Sequence, residues 1–167
     1  MKSTIQKTTK EQVWKILNEI PDPEIPVISI VELGVVRDLE IIDNKITVTI
    51  TPTYTGCPAT KFFENDITAA MVKAGFAEVN IKYQYNPAWT TDWLNEESRE
   101  NLRKYGIAPP SGKTTDKRFL LGQKPIVLCP QCKSKNTKMI SQFGSTACKS
   151  LYQCKDCLET FDYFKCI

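Results

Sequence analysis

The sequence predicts a mixed α/β (α+β) fold, in which a small two-layer sandwich with the element order α-β-β-α-β precedes a smaller, metal-bound domain. Three observations support this prediction. The chain has 167 residues, which allows one domain with a small appendage. Its first half alternates helical and strand-like spacing of apolar residues, and its last segment contains two pairs of closely spaced cysteines. We expect residues 1–107 to form the sandwich, 108–125 a linker and 126–167 the metal-bound domain.

A helix and a proline-rich loop open the chain. Thr9 can cap the helix in a capping box with Gln12, and apolar residues recur on one face until Pro21 stops the helix. Three prolines lie within residues 21–26. They indicate an ordered loop or an extended turn, because proline cannot continue a helix and also restrains the residue before it.

Two strands, a helix and a third strand complete the predicted sandwich. Residues 35–42 and 45–51 are the two strands, since apolar and polar side chains alternate along the second. Pro58 is well placed as the first residue of a helix that runs to about Ala74. Residues 79–85 form the third strand, again with apolar side chains at every second position.

Two C-x-x-C pairs predict a metal site in the last segment. Residues 126–167 are too few to bury a sufficient apolar core, so such a domain needs a metal or disulfides. The first C-x-x-C pair is Cys129 and Cys132, and the second is Cys154 and Cys157. The number of residues between the two pairs is slightly above the usual value of about 15–20. A hairpin that joins two such turns creates the tetrahedral four-thiolate site of a zinc ribbon. Zinc is the default occupant, and a single iron fits the same four sulfurs.

Cys57 lies immediately before the second predicted helix. At the N-cap, free N–H groups and the positive end of the helix dipole lower a thiol pKa and favour the thiolate. Ligation of a metal or of an iron–sulfur cluster is therefore the preferred interpretation, and a buried capping cysteine is the alternative. Asp22 and Glu24, on the proline-rich loop, either converge on Cys57 as oxygen ligands or simply cap a helix.

Cys148 and Cys166 have no assigned role. The simplest interpretation is that both are small, buried hydrophobic residues, because free cysteine is among the most buried residue types. Either of them could instead serve a second metal or replace one ligand of the first.

The composition excludes several function classes. The chain contains no histidine, which removes histidine bases, Ser-His-Asp and Cys-His catalysis and every His-ligated metal site. Seven cysteines without an export signal lead us to expect a reducing cytoplasm, where metal ligands or reactive thiols are more common than disulfides.

No run of apolar residues approaches the length of a membrane span, which is about 18 residues. A net charge of +3 is too small to indicate nucleic acid or a membrane surface as a partner.

Several segments resemble known families. Residues 22–30, 33–36 and 51–58 resemble the small α/β domain of the iron–sulfur assembly factors related to SufT. The whole chain resembles the PaaD family of phenylacetate-degradation proteins, whose longer signature is matched at residues 86–93, 105–110, 143–149 and 161–166.

The resemblance implies an accessory role rather than an enzyme. Proteins of this family accompany a multicomponent oxygenase that epoxidises the ring of phenylacetyl-CoA, so the expected partners are its oxygenase and reductase subunits. By this resemblance Cys57 is the candidate ligand of a transient iron–sulfur cluster, Asp22 and Glu24 are its companion motif, and the four ribbon cysteines are structural ligands. An exposed, weakly caged ligand set would suit transfer, whereas a closed four-sulfur set suits permanence.

Two other functions stay open from the sequence. The chain could be a non-catalytic structural subunit of the same oxygenase, in which case Trp89, Trp93 and the pair Tyr83 and Tyr85 would form an interface instead of core packing. A nucleic-acid adaptor that uses the ribbon is the third interpretation, which the small charge disfavours. A homodimer is also left open.

Overall fold

The computed structural model describes residues 8–111 and 125–165, and these contain three α-helices and seven β-strands. The helices are α1 (Lys10–Asn18), α2 (Ala59–Lys73) and α3 (Glu96–Tyr105). The strands are β1 (Val36–Ile42), β2 (Lys45–Ile50), β3 (Glu78–Tyr83), β4 (Ile107–Ala108), β5 (Thr137–Ser141), β6 (Lys149–Cys154) and β7 (Thr160–Phe164). Within the described ranges, no helix is both long enough and apolar enough to cross a bilayer.

The first sheet has the strand order β1-β2-β3. Strands β1 and β2 form an antiparallel hairpin that turns at Asp43, whose φ is 54°. Strand β3 pairs in parallel with β2, and α2 makes the crossover between them. Alternate residues of β2 are buried in one core with the apolar faces of α1 and α2. The predicted α-β-β-α-β two-layer sandwich is confirmed.

The helix ends follow from local chemistry. Thr9 and Gln12 form the predicted capping box, in which each side chain accepts a hydrogen bond from the other residue's backbone N–H. Helix α2 begins at Ala59, one residue later than predicted, with Pro58 as its N-cap. Pro58 already has helical dihedral angles, but it has no N–H and so takes no part in the helical hydrogen-bond ladder as a donor. Cys57 therefore precedes the N-cap rather than occupying it.

The second sheet has the strand order β4-β7-β6-β5. Strands β5, β6 and β7 form an antiparallel meander, and β4 adds to β7 in parallel. Strand β4 crosses the predicted boundary, since Ile107 was expected to end the sandwich and Ala108 to begin the linker. The three-part division stays a prediction, and residues 112–124 of the predicted linker lie outside the described residues.

The two sheets share part of their packing. Phe164 of β7 and Cys148 are buried in the core of the sandwich rather than in the smaller ribbon core. The Trp89 ring lies 5.9 Å from the Phe164 ring, and its Nε1–H donates to the Leu33 carbonyl at 2.9 Å. The sandwich and the ribbon therefore meet along a closed apolar contact.

Candidate metal centres

The four ribbon cysteines come together as predicted. The sulfur atoms of Cys129, Cys132, Cys154 and Cys157 all lie within 4.8 Å of one another. Two of the sulfur pairs are separated by 3.5 and 3.7 Å. Zinc–sulfur bonds of about 2.3 Å in a tetrahedron place the sulfurs about 3.8 Å apart. The donor set therefore fits one tetrahedral metal ion.

Two tight turns deliver these sulfurs. In the first turn the Lys133 N–H donates to the Cys129 carbonyl at 2.9 Å, and Lys133 adopts a positive φ of 61°. In the second turn the backbone N–H groups of Cys157 and Asp156 point at the Cys154 sulfur and lower its pKa to about 7. The Asp156 carboxylate accepts a hydrogen bond from the Asn136 amide at 2.7 Å. This bond connects the second turn to the segment that follows the first turn. This site, the ribbon site, draws two sulfurs from the turn before β5 and two from the turn between β6 and β7.

Cys57 is buried rather than exposed, which corrects the expectation of an open ligand set. Its side chain is 5% exposed, and its N–H donates to the Tyr54 carbonyl at 3.2 Å. The surroundings of the sulfur are not wholly apolar, since the Thr53 hydroxyl donates to it at 3.8 Å. Cys57 is thus covered, with Thr53 of the preceding loop beside its sulfur.

The two carboxylates of the proline-rich loop have different surroundings. One Asp22 oxygen accepts from the N–H groups of Glu24 and Ile25 at 2.8 and 2.7 Å, so this buried side chain caps a turn of its own loop. Burial raises the Asp22 pKa despite these two donors. The Glu24 carboxylate extends instead to Cys148, with 3.6 Å between its Oε2 and the sulfur.

Cys148 and Lys149 lie on the ribbon side of the contact with Glu24. The sequence did not identify either residue as a partner of this glutamate. Cys148 is buried, the Thr146 hydroxyl lies 3.0 Å from its sulfur, and burial raises its pKa to about 11. The buried Lys149 ammonium donates to the Glu24 carbonyl at 3.3 Å and lies 4.0 Å from the Asp162 carboxylate. The signal available in the sequence was the odd cysteine between the two C-x-x-C pairs.

Tyr54 lies in the loop before Cys57. Burial raises the pKa of its hydroxyl to about 12, and the nearby charge of Cys57 raises it further. The sequence placed Tyr54 in the loop before Cys57 and gave it no role.

The aromatic residues divide between core and surface. Trp89 packs in the core against Phe164. Trp93 is half-buried beneath the Arg37 guanidinium, which lies 3.7 Å from its ring centre. Tyr83 and Tyr85 stack with ring centres 6.1 Å apart, and Tyr85 is exposed. Of these four aromatic residues, only Tyr85 is exposed as an interface requires, since Tyr83 and Trp93 are both half-buried.

Comparison with known proteins assigns the family. A family model described as the PaaD zinc beta ribbon domain matches residues 113–165, and one described as an iron–sulfur cluster assembly protein matches residues 10–82. A protein from Escherichia coli K12 that is named as a 1,2-phenylacetyl-CoA epoxidase subunit is 47% identical over 165 residues, which cover 99% of this chain and 98% of that protein. The chain belongs to the PaaD family. This confirms the resemblance that the motifs indicate.

Shorter relatives match part of the PaaD chain. A protein named as an Fe-S protein maturation auxiliary factor from Porphyromonas gingivalis is 33% identical over 96 residues, which cover 56% of this chain and 90% of that protein. A solved structure of the domain of unknown function DUF59 from Bacillus anthracis is 25% identical, with a TM-score of 0.51, and covers 56% of this chain and 90% of that one. The sandwich therefore has a fold that also occurs without a ribbon.

The two matched regions divide the residues around Tyr54 between them. Cys57, Asp22 and Glu24 fall within the assembly-protein match at 10–82, whereas Cys148 and Lys149 fall within the zinc-ribbon match at 113–165. The PaaD chain thus places residues from two families against each other.

Proposed function

We propose that this PaaD protein is a metallocentre-maturation factor for the multicomponent oxygenase that epoxidises phenylacetyl-CoA. It binds an iron–sulfur cluster, or iron, as transient cargo through Cys57 and passes it to an oxygenase or reductase subunit. The observation that carries the proposal is the Cys57 thiol itself. It lies before α2, beside the Thr53 hydroxyl, in the region that matches an iron–sulfur cluster assembly protein.

The named relatives support a role in the phenylacetyl-CoA epoxidase system or in Fe-S protein maturation. A maturation factor dedicated to that epoxidase accounts for both kinds of relative in one chain. It also accounts for the composition, because a carrier needs thiolates and no histidine base.

The ribbon site has a separate, structural task in this proposal. We assign zinc to it, with iron as the alternative occupant, because four thiolates in a closed set favour a resident ion. The ion contributes folding free energy to a segment that is too small to hold a large core. Asp22 supports the proline-rich loop through its two backbone hydrogen bonds and is not required as a ligand.

The burial of Cys57 determines how cargo is exchanged. Loading requires loop 52–56 to open, and Gly56 gives this loop a hinge position, since its φ of 82° is readily available only to glycine. Closure of the loop shields the bound thiolate from water and oxidants. A covered but openable thiol is compatible with a carrier that must hold its cargo before it meets the client.

Anaerobic reconstitution with iron and sulfide tests the proposal. The unsubstituted protein should gain iron and sulfide beyond the metal of the ribbon site, and Cys57→Ser should lose most of that gain while its ribbon metal stays constant. Ala59→Ser is the matched control, because it introduces a hydroxyl at a buried site at the start of the same helix and removes no sulfur. Equal cluster content and equal delivery by Cys57→Ser would remove Cys57 from the carrier role.

A structural subunit of the epoxidase is the second candidate. The full-length similarity to a protein named as an epoxidase subunit favours it, as does the exposed Tyr85 with its stacked partner Tyr83. Co-purification separates the two functions. A structural component stays in the mature complex in fixed stoichiometry, whereas a maturation factor is absent from it.

A further inference from the structure

Strand β5 forms one edge of the second sheet and adds nothing to the ribbon core. The strand order β4-β7-β6-β5 leaves β5 with β6 as its one neighbour among the described residues. Within the same residues, the buried cluster of the ribbon takes its members from β4, β6, β7 and residues 127–129, and none from β5. An edge strand presents a row of backbone N–H and C=O groups to the outside. One side of β5 therefore offers hydrogen-bonding groups to a further strand.

Large apolar side chains lie along this edge although water surrounds them. Met139 is 44% exposed, Ile140 is 50% exposed and Phe143, just beyond the strand, is 62% exposed. The register of β5 against β6 shifts between Met139 and Ser141, so Ile140 is the extra residue of a β-bulge. Bulges redirect side chains, which accounts for two consecutive exposed apolar residues. The core does not use these side chains, and grouped apolar residues on a surface are typical of contact sites.

The lysines of this edge have no carboxylate partner within the described residues. Lys135 precedes the strand, Lys138 lies in it, and both are exposed. Across residues 125–165, the one ion pair joins the buried Lys149 to Asp162. The sandwich differs, because three of its lysines each lie within 3.3 Å of a carboxylate oxygen: Lys10, Lys45 and Lys61. The edge of the ribbon is therefore basic as well as apolar.

We propose that the outer side of β5 binds an extended, acidic segment of a partner protein, which adds to the sheet as a further strand. The contact surface, here called the β5 edge, consists of the strand backbone and the side chains of Lys138, Met139, Ile140 and Phe143. Backbone hydrogen bonds supply affinity in this mode of binding, and alternate side chains supply specificity. The inference goes beyond the proposed function and concerns the ribbon alone, so it does not depend on any cargo.

The charge of β5 disfavours a second copy of this chain as the partner. Two paired β5 strands would bring Lys138 of both copies to one edge, and like charges on paired strands destabilise the pairing. A lysine and a bulge on an edge strand also prevent indiscriminate pairing with other chains. A carboxylate opposite Lys138 turns this obstacle into an attraction. The charge of the incoming segment therefore decides whether the edge pairs.

Binding of a designed peptide to the full chain tests the proposal. The probe is a fluorescent peptide of about nine residues, a common strand length, in which valine and glutamate alternate. Fluorescence anisotropy measures its affinity, and NMR amide shifts locate it on the protein. We expect saturable binding that weakens as salt is added, with the largest shifts at residues 137–141. A peptide with lysine in place of each glutamate should bind at least about tenfold more weakly.

Two methylated peptides test the backbone pairing. In one, the backbone nitrogens of the valines carry methyl groups, and in the other those of the glutamates do. Alternate N–H groups of a strand point to opposite sides, so only one of the two sets can face β5. One peptide should therefore lose binding while the other keeps most of it. Equal affinities of the two would refute strand addition.

Substitutions in the protein test the side chains. Lys138→Glu should weaken binding of the glutamate peptide about tenfold and strengthen binding of the lysine peptide, a reversal that a damaged fold cannot produce. Ile140→Ser should weaken binding severalfold. Val72→Ser is the matched control, because it removes an apolar side chain of similar exposure from α2, away from the ribbon. The ribbon metal content should stay constant in all three variants.

Each contrary outcome overturns the proposal. Equal binding of the glutamate and lysine peptides, or no binding of the glutamate peptide, refutes an acidic partner. Shifts centred outside residues 137–141, or unchanged affinity in Lys138→Glu and Ile140→Ser, refute the β5 edge as the site. Self-association of the unliganded protein with shifts at β5 assigns the edge to a second copy instead. None of these results bears on Cys57, which the iron and sulfide reconstitution tests separately.

Discussion

The ribbon cysteines and the buried Cys57 and Cys148 place the same side chain in different surroundings. The ribbon site gathers four sulfurs within 4.8 Å, from a turn that precedes β5 and the turn between β6 and β7. Cys57 has the Thr53 hydroxyl beside its sulfur, whereas Cys148 contacts Thr146 and Glu24, the latter 124 residues away in sequence. A close set of four thiolates suits a resident ion, whereas a single covered thiol leaves the other ligands of a metal to its cargo or its client. In the proposed function, this difference separates metal that maintains the fold from metal that is carried.

Removal of a ribbon ligand should have the largest effect. Cys154→Ser deletes a fully buried sulfur of the ribbon site, and structural zinc contributes about 10–16 kcal/mol in zinc-finger peptides. We expect loss of the bound metal and of the ordered amide signals of residues 125–165. Metal analysis and two-dimensional NMR measure both. Cys57→Ser is the control and should keep its ribbon metal, and full metal content in Cys154→Ser would contradict a resident structural ion.

Trp89→Ala should weaken the contact between the sandwich and the ribbon. It removes the ring that packs on Phe164 and the hydrogen bond to the Leu33 carbonyl. Truncation of a buried aromatic side chain costs about 3–5 kcal/mol of unfolding free energy. We expect that loss in urea unfolding.

The matched control for this change is Trp93→Phe, which keeps an aromatic ring beneath Arg37 and should cost much less. The ribbon metal should survive both substitutions, because all four of its ligands belong to the ribbon itself. Equal free energies of unfolding for Trp89→Ala and the unsubstituted protein would show that this ring adds nothing to the contact between the sandwich and the ribbon.

The sequence predicts the ribbon site and misses the contact between Cys148 and Glu24. The C-x-x-C spacing encodes the ribbon geometry locally, so four ligands can be named without a structure. The contact of Cys148 with Glu24 arises only when the start of β6 docks against the proline-rich loop, and no local pattern records that docking. From sequence alone, Cys148 is a small buried residue whose other roles stay open.

The burial of Cys57 escapes sequence analysis for a related reason. Helix signals locate the start of α2 to within one residue, but they do not show that Cys57 is buried in the core of the sandwich. The same limit applies to Trp89, whose place between Leu33 and Phe164 depends on residues far away in sequence. Periodicity predicts which face of an element is buried, and it does not predict what covers a loop.

Gly144→Ala should displace Asp162 from Lys149 and leave the ribbon metal in place. A Cβ at Gly144 would lie 2.2 Å from an Asp162 oxygen, so that carboxylate must move away from Lys149 and Ser145. Overpacking of this kind costs about 1–3 kcal/mol, and thermal unfolding measures that cost. Ser145→Ala removes only one hydroxyl bond to Asp162 and should have a smaller effect.

Tyr83→Phe should give the smallest effect and should touch neither metal site. The Tyr83 hydroxyl donates to the Glu64 carboxylate and lowers its pKa, so the bond stabilises the folded sandwich while Glu64 is ionised. A hydrogen bond at this half-buried position contributes about 1 kcal/mol. Because the folded pKa is lowered, this contribution is present above the unfolded pKa of Glu64 and is lost as pH falls through the folded value. Urea unfolding of both proteins at pH 7 and in acid should therefore show a difference that disappears in acid, while ribbon metal content and cluster release at pH 7 stay equal. A change in either metal readout would mean that the ribbon metal or the carried cluster is coupled to the bond between Tyr83 and Glu64, and the contrast between resident and carried metal would then depend on the whole fold.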